Sequence, residues 1–228
     1  MAIIKSDFEL EKKLLAEGYA FVLGTDEAGR GPLCGPVVAA AAIYRDATFA
    51  IPEEKVKLMD FVRDSKTISP KKREEIFDFI HENFYIGIGL CDHQTIDEIN
   101  ILEASFLAMK KAVTDLKTKF RRELPNFDNN IILVDGNKKI PNLSLYQMSV
   151  VGGDRIVKSI SAASIIAKVT RDRMMLEMDK KYPEYGFAKH KGYGTKLHMA
   201  ALQQFGPCEI HRQTFEPMPT LAKKPKSC

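Results

Sequence analysis

Cysteine is scarce in this chain of 228 residues, and the four present, Cys34, Cys91, Cys208 and Cys228, are far apart. No C-x-x-C pair occurs and no Cys/His spacing matches a structural zinc site. The pattern predicts isolated reduced thiols in a cytoplasmic protein, not a disulfide framework or a zinc ribbon. Long apolar runs are missing too. The opening MAIIKSDFEL has no apolar core long enough for a signal peptide, and no segment approaches a membrane span. Strong charge of either sign is lacking: 34 basic and 30 acidic residues leave +4, which permits a polyanionic partner without arguing for one. The phosphate-binding signatures fail as well. Gly29-x-Gly31 lacks the third glycine of a dinucleotide fingerprint, because Cys34 falls there, and no G-x-x-x-x-G-K-[ST] occurs. The histidines, His81, His93, His190, His198 and His211, show no metal-ligand spacing. None sits near a serine or cysteine in a nucleophile motif, so acyl transfer has no support.

What is present reads as an ordinary globular chain, 45% hydrophobic and 28% charged, long enough for one sizeable core. Near-helical spacing of Phe8, Leu10, Leu14 and Leu15 predicts a short amphipathic helix over 6–17. The runs YAFVLGT and GPVVAAAAIY, punctuated by Gly and Pro, predict buried strands, with a polar loop over 45–52. Ser69 is placed as the N-cap of a helix beginning at Pro70, with Ile76, Phe77 and Ile80 facing inward. FYIGIGL alternates like a strand and has glycines where close backbone packing would need them. One long helix is predicted over 95–120, through Ile99, Leu102, Phe106, Met109 and Val113. NNIILVDGN and LSLYQMSV read as strands, and Gly152-Gly153-Asp154 opens a helix of roughly two dozen residues. TKLHMAALQQF reads as a further helix, and the chain after Pro207 as irregular. No internal repeat is found. Strands alternating with long helices give an α/β class.

The acids are placed unusually. Asp26 and Asp135 each end an apolar run, and Asp154 stands at the mouth of a long helix. Singly, each has an ordinary structural reading. Asp26-Glu27 suits a solvated strand end, Asp135-Gly136 a turn and Asp154 a helix N-cap. Together, converging carboxylates without basic partners suit a divalent cation. Successive strand residues point to opposite faces, so Asp26 and Glu27 can meet one ion only if the strand ends or Glu27 swings back. A second cluster, FAKHKGYGTKLH, sets cations and Tyr193 among glycines. That suits a nucleic-acid backbone with a ring available to stack, or else a plain surface loop.

The ordered motifs GTDEAGRGPLCGPVVAAA, DSKTISPKKRE, INILEASFLAMKKAV, ILVDG, GGDRIVKSISAASIIAKVTRDR, HKGYGTKLH and HRQTFEP run from residue 20 to about 218. In that order they resemble ribonuclease HII, the bacterial type 2 ribonuclease H. The type 3 enzymes, the nearest confusable family, carry an additional N-terminal domain, and their acid motif lacks the arginine between the glycines. Thr25, Cys34, Arg63 and Gly152 depart from the usual family residues.

The resemblance implies an RNase H-like fold, with a mixed central sheet flanked by helices and a small helical C-terminal extension. On that reading residues 1–228 form one catalytic domain, with the extension over about 180–220 and a flexible tail over 221–228. Asp26, Glu27, Asp135 and Asp154 would bind two Mg²⁺ or Mn²⁺ ions and carry catalysis. Gly29, Arg30 and Gly31 would approach the ribose and sense its 2′-hydroxyl. Ser65 and Lys66 would contact phosphate, and Tyr193 would pack on the sugar that follows. The implied activity is an endonuclease that hydrolyses the RNA strand of RNA–DNA hybrids and incises at ribonucleotides embedded in duplex DNA. It would leave 5′-phosphate and 3′-hydroxyl ends. The protein would act as a cytoplasmic monomer, away from membranes, with a sliding-clamp contact through the C-terminal tail. Two alternatives remain at this point: an RNase H-like nuclease or resolvase indifferent to the 2′-hydroxyl, and a non-catalytic binder using the basic loop alone.

Overall fold

Val37–Tyr44, called β2, is buried at every position, as its unbroken apolar run requires. It lies inside a five-stranded sheet with β1 (Val22–Ala28), β3 (Phe84–Cys91), β4 (Ile131–Asp135) and β5 (Tyr146–Val150), in the order β3-β2-β1-β4-β5. The pairs β3/β2 and β2/β1 are antiparallel, and β1/β4 and β4/β5 are parallel, so the sheet is mixed. The computed structural model describes residues 6–63 and 68–222. Ser65 and Lys66 therefore lie outside the described residues, as does the end of the tail. Among the described residues, no helix is long and apolar enough to cross a membrane.

Helices cover both faces. The first three are α1 (Glu9–Ala16), α2 (Glu53–Met59) and α3 (Pro70–Asn83), followed by α4 (His93–Ile99) and α5 (Ile101–Lys119). Then come α6 (Gly153–Ile156) and α7 (Lys158–Lys181). Ala39 and Ala41 of β2 join the core under α5, while Ala40 and Ala42 join the core under α3 and α7. Small residues let the helices sit close. A β-carbon on Gly87 or Gly89 would fall 2.1 or 2.2 Å from the carbonyl oxygens of Ala112 and Ala108 in α5. On β1, one on Gly24 would meet the backbone of Ser159 and Ile160 in α7 at 2.2 Å. The glycines expected to serve close packing do so.

Some local expectations need correction. The long helix over 95–120 is two helices. Asn100 breaks it with φ 68°, and its side-chain oxygen then caps α5 by accepting from the N–H groups of Leu102 and Glu103. The helix expected at Gly152 is likewise divided at Val157, whose extended backbone separates the single turn of α6 from α7. Ser69 caps α3 as expected, but its buried face is Ile76, Phe79 and Ile80, and Phe77 is only half-buried. The helix α2 was not anticipated. The chain after Pro207 is not wholly irregular, since Met218–Ala222 is helical (α10). With α8 (Phe187–His190) and α9 (Lys196–Phe205), this end builds a small core around Phe187, Leu202, Met218 and Cys34.

Candidate active site

Because β1 and β4 are adjacent and parallel, their C-terminal ends open at the same edge of the sheet. Thr25 pairs with Val134, which sets Asp26 beside Asp135. The turn of α6 supplies Asp154, whose backbone N–H donates to Asp135 Oδ1 at 3.3 Å. One carboxylate oxygen from each of Asp26, Asp135 and Asp154 lies within 4.8 Å of the others, with Asp26 and Asp154 buried. The N-cap reading of Asp154 does not hold, since Gly152 occupies the cap and no side-chain cap bond forms there.

Burial raises the Asp26 carboxyl well above the usual aspartate range, and the neighbouring charges of Glu27 and Asp135 add to it; a hydrogen bond from Ser164 opposes them. Three oxygen-bearing acids crowded at low solvent access cannot all stay ionised unless a cation joins them. The donor set is all oxygen, which fits a hard divalent ion.

Glu27 is placed differently. The strand neither ends nor swings back at this point, and β1 continues to Ala28. Asp26 pairs with Ala40 and Glu27 with Ala39, which belong to opposite cores, so Glu27 faces the α5 side. Its Oε1 accepts from Arg30 Nη1 at 3.2 Å. Burial raises its pKa, with Arg30 opposing. The carboxylate lies outside the three-acid group but lines the same cleft of about 380 Å³, together with Asp26, Asp135, Gly31, Lys168 and Tyr193.

Two fully buried arginines hold the cleft's loop in shape, and neither was singled out from the sequence. Arg212 donates to the carbonyls of Gly29 (2.6 Å), Arg30 (3.0 Å), Pro32 (2.7 Å) and Gly35 (3.0 Å). Arg171 donates to those of Pro36 (2.9 Å), Cys34 (3.1 Å) and Lys191 (3.0 Å), so it also ties in the Tyr193 segment. Burial draws the Arg212 pKa down to about 9 and lowers that of Arg171. A β-carbon on Gly29, at φ 104°, would sit 2.2 Å from Arg171 Nε, so this glycine is required by both backbone and packing. Arg171 and Arg212 lie inside motifs quoted above, but nothing in the sequence distinguishes a buried arginine from a surface one.

Gly31 faces Tyr193. A β-carbon there would lie 3.6 Å from the tyrosine ring edge. The ring is 44% exposed and does not pin its loop to the core. The pinning is done by backbone: Leu33 N–H donates to Gly192 O at 2.8 Å, and Tyr193 O takes a bond of 3.0 Å with His198 Nδ1. Beyond Tyr193 a second groove of about 350 Å³ carries Lys168, Lys189 and Lys191. Ahead of the undescribed 64–67 stretch, buried Lys158 donates to Met59 O (3.1 Å) and Val62 O (3.0 Å), anchoring that approach to the start of α7.

Comparison with known proteins agrees with this geometry. The family model described as Ribonuclease HII matches residues 23–218. A ribonuclease HII of Caldicellulosiruptor bescii is 50% identical over 209 residues, covering 91% of this chain and 92% of its own. One of Endomicrobium trichonymphae is 46% identical over 220 residues, 96% of each chain. Among solved structures, the ribonuclease H2 of Pyrococcus horikoshii superposes with a TM-score of 0.65 at 30% identity, covering 88% of this chain and 96% of its own. A ribonuclease HIII complexed with Mn²⁺ gives 0.66 at 16% identity, covering 93% and 72%, and shares the fold. The mixed sheet with its acids at one edge is thus an RNase H-like fold, and the chain belongs to the ribonuclease HII family of endoribonucleases.

Proposed function

We propose that Asp26, Asp135 and Asp154, with Glu27, form the centre at which this ribonuclease H hydrolyses the RNA strand of RNA–DNA hybrids. The same centre incises at single ribonucleotides in duplex DNA, leaving 5′-phosphate and 3′-hydroxyl ends. The observation that carries this reading is the convergence of three carboxylate oxygens within 4.8 Å beside an arginine-braced loop and an exposed tyrosine. Asp26, Asp135 and Asp154, with Glu27, would hold a pair of Mg²⁺ or Mn²⁺ ions, which would supply water activation and Lewis-acid stabilisation of the departing 3′-oxygen, so no histidine base would be needed. Ser164 steadies Asp26, and the Asp154 N–H steadies Asp135. Arg30, half-exposed, exchanges Glu27 for a substrate phosphate and so releases the Glu27 carboxylate to the site.

Specificity rests on the Gly29-Arg30-Gly31 loop, rigid before substrate arrives because Arg212 and Arg171 hold its carbonyls. It presents its backbone to the ribose 2′-hydroxyl. Tyr193, across from Gly31, packs on the following sugar, and Lys168, Lys189 and Lys191 follow the strand beyond it. Ser65 and Lys66 add phosphate contacts. The C-terminal region completes one catalytic unit by supplying Tyr193 and Arg212 from the loops on either side of α9. We read the enzyme as a cytoplasmic monomer. Its tail is proposed to reach a sliding clamp, a partner seen for the Archaeoglobus fulgidus RNase HII in its complex with PCNA.

The test is a DNA duplex with one ribonucleotide, cut and mapped at nucleotide resolution beside an all-DNA duplex. Cleavage confined to the ribonucleotide is expected. Efficient cutting of all-DNA duplex overturns the reading, because the 2′-hydroxyl would then be irrelevant.

A further inference from the structure

Where the 29–35 loop meets the C-terminal helices, a thiol and two imidazoles converge. One ligand atom from each of Cys34, His198 and His211 lies within 4.8 Å of the others, and all three residues are fully buried. Three separate segments deliver them. Cys34 and His211 face each other across an isolated antiparallel bridge, secured by Gly35 N–H to Ile210 O at 2.9 Å and Arg212 N–H to Leu33 O at 3.0 Å. His198 comes from the first turn of α9, which Thr195 caps. Met175 packs against the same place. A β-carbon on Gly192 would meet Cys34 Sγ at 2.7 Å and the Met175 methyl at 3.5 Å.

The hydrogen bonds fix the ring tautomers. Cys208 N–H donates to His211 Nδ1 at 2.9 Å, so the His211 proton sits on Nε2. That nitrogen donates to His198 Nε2 at 3.0 Å, and His198 Nδ1–H donates to Tyr193 O at 3.0 Å. His198 thus turns an unprotonated Nε2, which accepts from His211, toward the cluster, with its other nitrogen held by a carbonyl, the arrangement typical of a metal-bound histidine. His211 can adopt the same form. If its proton moves to Nδ1, Cys208 O at 3.2 Å accepts it.

We propose that Cys34, His198 and His211 form a site for a thiophilic monovalent d¹⁰ cation, Cu⁺ or its redox-inert surrogate Ag⁺. Sulfur with two imidazole nitrogens is a soft to borderline donor set, unlike the oxygen set of the acid cluster. Zn²⁺ fits poorly for two reasons. A structural zinc wants four ligands, and Cys208 Sγ lies by Nδ1 of His211, at 3.2 Å, rather than within the three-donor group. Zn²⁺ with one thiolate would also leave net positive charge beside the buried guanidiniums of Arg171, which bonds Cys34 O, and Arg212. Cu⁺ with one thiolate is neutral. On binding, the Cys34 S–H bond breaks and its proton leaves to solvent as the S–metal bond forms. The His211 proton shifts from Nε2 to Nδ1, and no electron is transferred.

The experiment uses the full chain carrying Cys91→Ser, Cys208→Ser and Cys228→Ser, which leaves Cys34 as the sole thiol. Ag⁺ uptake is titrated against a competing chelator after overnight equilibration, and anaerobic Cu⁺ loading is followed by X-ray absorption. One equivalent per chain is expected, with one sulfur and two nitrogen neighbours and a raised melting temperature. Adding Cys34→Ser should weaken binding by more than about a hundredfold, beyond the loss from removing an outer-shell partner. No uptake at one equivalent, uptake that survives Cys34→Ser, or coordination without nitrogen overturns the site. Zn²⁺ binding as tightly as Ag⁺ overturns its assignment to a monovalent ion.

Discussion

Asp26 and Glu27 precede one end of the 29–35 loop and Cys34 lies at the other, so a single loop separates two groups of ligand-type side chains. The groups satisfy their polar atoms in opposite ways. Ionised carboxylates only accept hydrogen bonds, so Asp26, Asp135 and Asp154 when ionised cannot bond to one another through their side chains and draw on other donors, as Asp26 does from the Glu27 N–H and Asp135 from the Asp154 N–H. Neutral imidazoles both donate and accept, so His211 and His198 satisfy each other internally, out to Cys208 and Tyr193. An open site and a closed one can therefore share a loop. What distinguishes them is whether the side chains carry the protons needed to bond among themselves.

The sharpest way to break the comparison is to neutralise the open site. Asp26→Asn or Asp135→Asn should lower Mg²⁺-dependent cleavage by on the order of 10³-fold or more, because metal catalysis supplies several kcal/mol. Folding should not suffer. Asp26 holds its proton more tightly in the folded chain than in the unfolded one. Its contribution to stability is thus present at low pH and is lost as pH rises through its folded value. Melting curves in metal-free buffer should show Asp26→Asn at least as stable as the parent at neutral pH. A large drop would make Asp26 a structural residue instead.

Next in size is the brace between the groups. Arg212→Met leaves the carbonyls of Gly29, Arg30, Pro32 and Gly35 without their buried donor. A cost of about 3 kcal/mol is expected, a fall of roughly 6–12 °C in melting temperature, with activity falling as the loop loosens. Arg212→Lys should recover only part, since one ammonium cannot span the same carbonyls. Unchanged melting with full activity would show that the loop holds its own shape.

Tyr193→Ala probes the open side alone. Loss of a stacking contact worth roughly 1–3 kcal/mol should reduce cleavage about tenfold to a hundredfold. The loss should be larger on a single embedded ribonucleotide than on a long hybrid. With the ring 44% exposed, the melting temperature should hardly move. Equal losses on both substrates, accompanied by a large melting shift, would make the ring structural.

These expectations show how unevenly the sequence discloses the molecule. The sheet and its helices were legible because β2 is apolar throughout and the amphipathic helices repeat at helical spacing. The acids stood out in the sequence because Asp26 and Asp135 each terminate an apolar run, although β1 itself continues to Ala28. The break at Asn100 was not legible, since an asparagine within a helical pattern looks tolerable until its side chain is seen capping the next helix. Nor could Arg171 and Arg212 be read, because what makes them structural is a set of carbonyls that, Lys191 O apart, lie more than a hundred positions away. The Cys34, His198 and His211 group had no signal for the same reason: the spacing that joins it runs across a bridge between distant segments, not along the chain.

At neutral pH the closed group should be silent, and acid is what separates it from the open one. Burial pushes both His198 and His211 down to about 4, from the ordinary value of 6.5. The unfolded chain binds protons at these rings as pH falls below about 6.5, while the folded chain refuses them until near 4. Their contribution is therefore complete above 6.5 and is lost progressively toward 4, the opposite slope from that of Asp26. The metal-free Asp26→Asn variant removes the opposing term. Its melting temperature should fall more steeply from pH 7 to pH 5 than that of the parent, whose Asp26 gains as the histidines lose. Imidazole resonances of His198 and His211 should show no titration above pH 5. Either ring titrating near 6.5 would mean that the pair is hydrated and protonates freely, and the contrast between a closed and an open site would fail at that point.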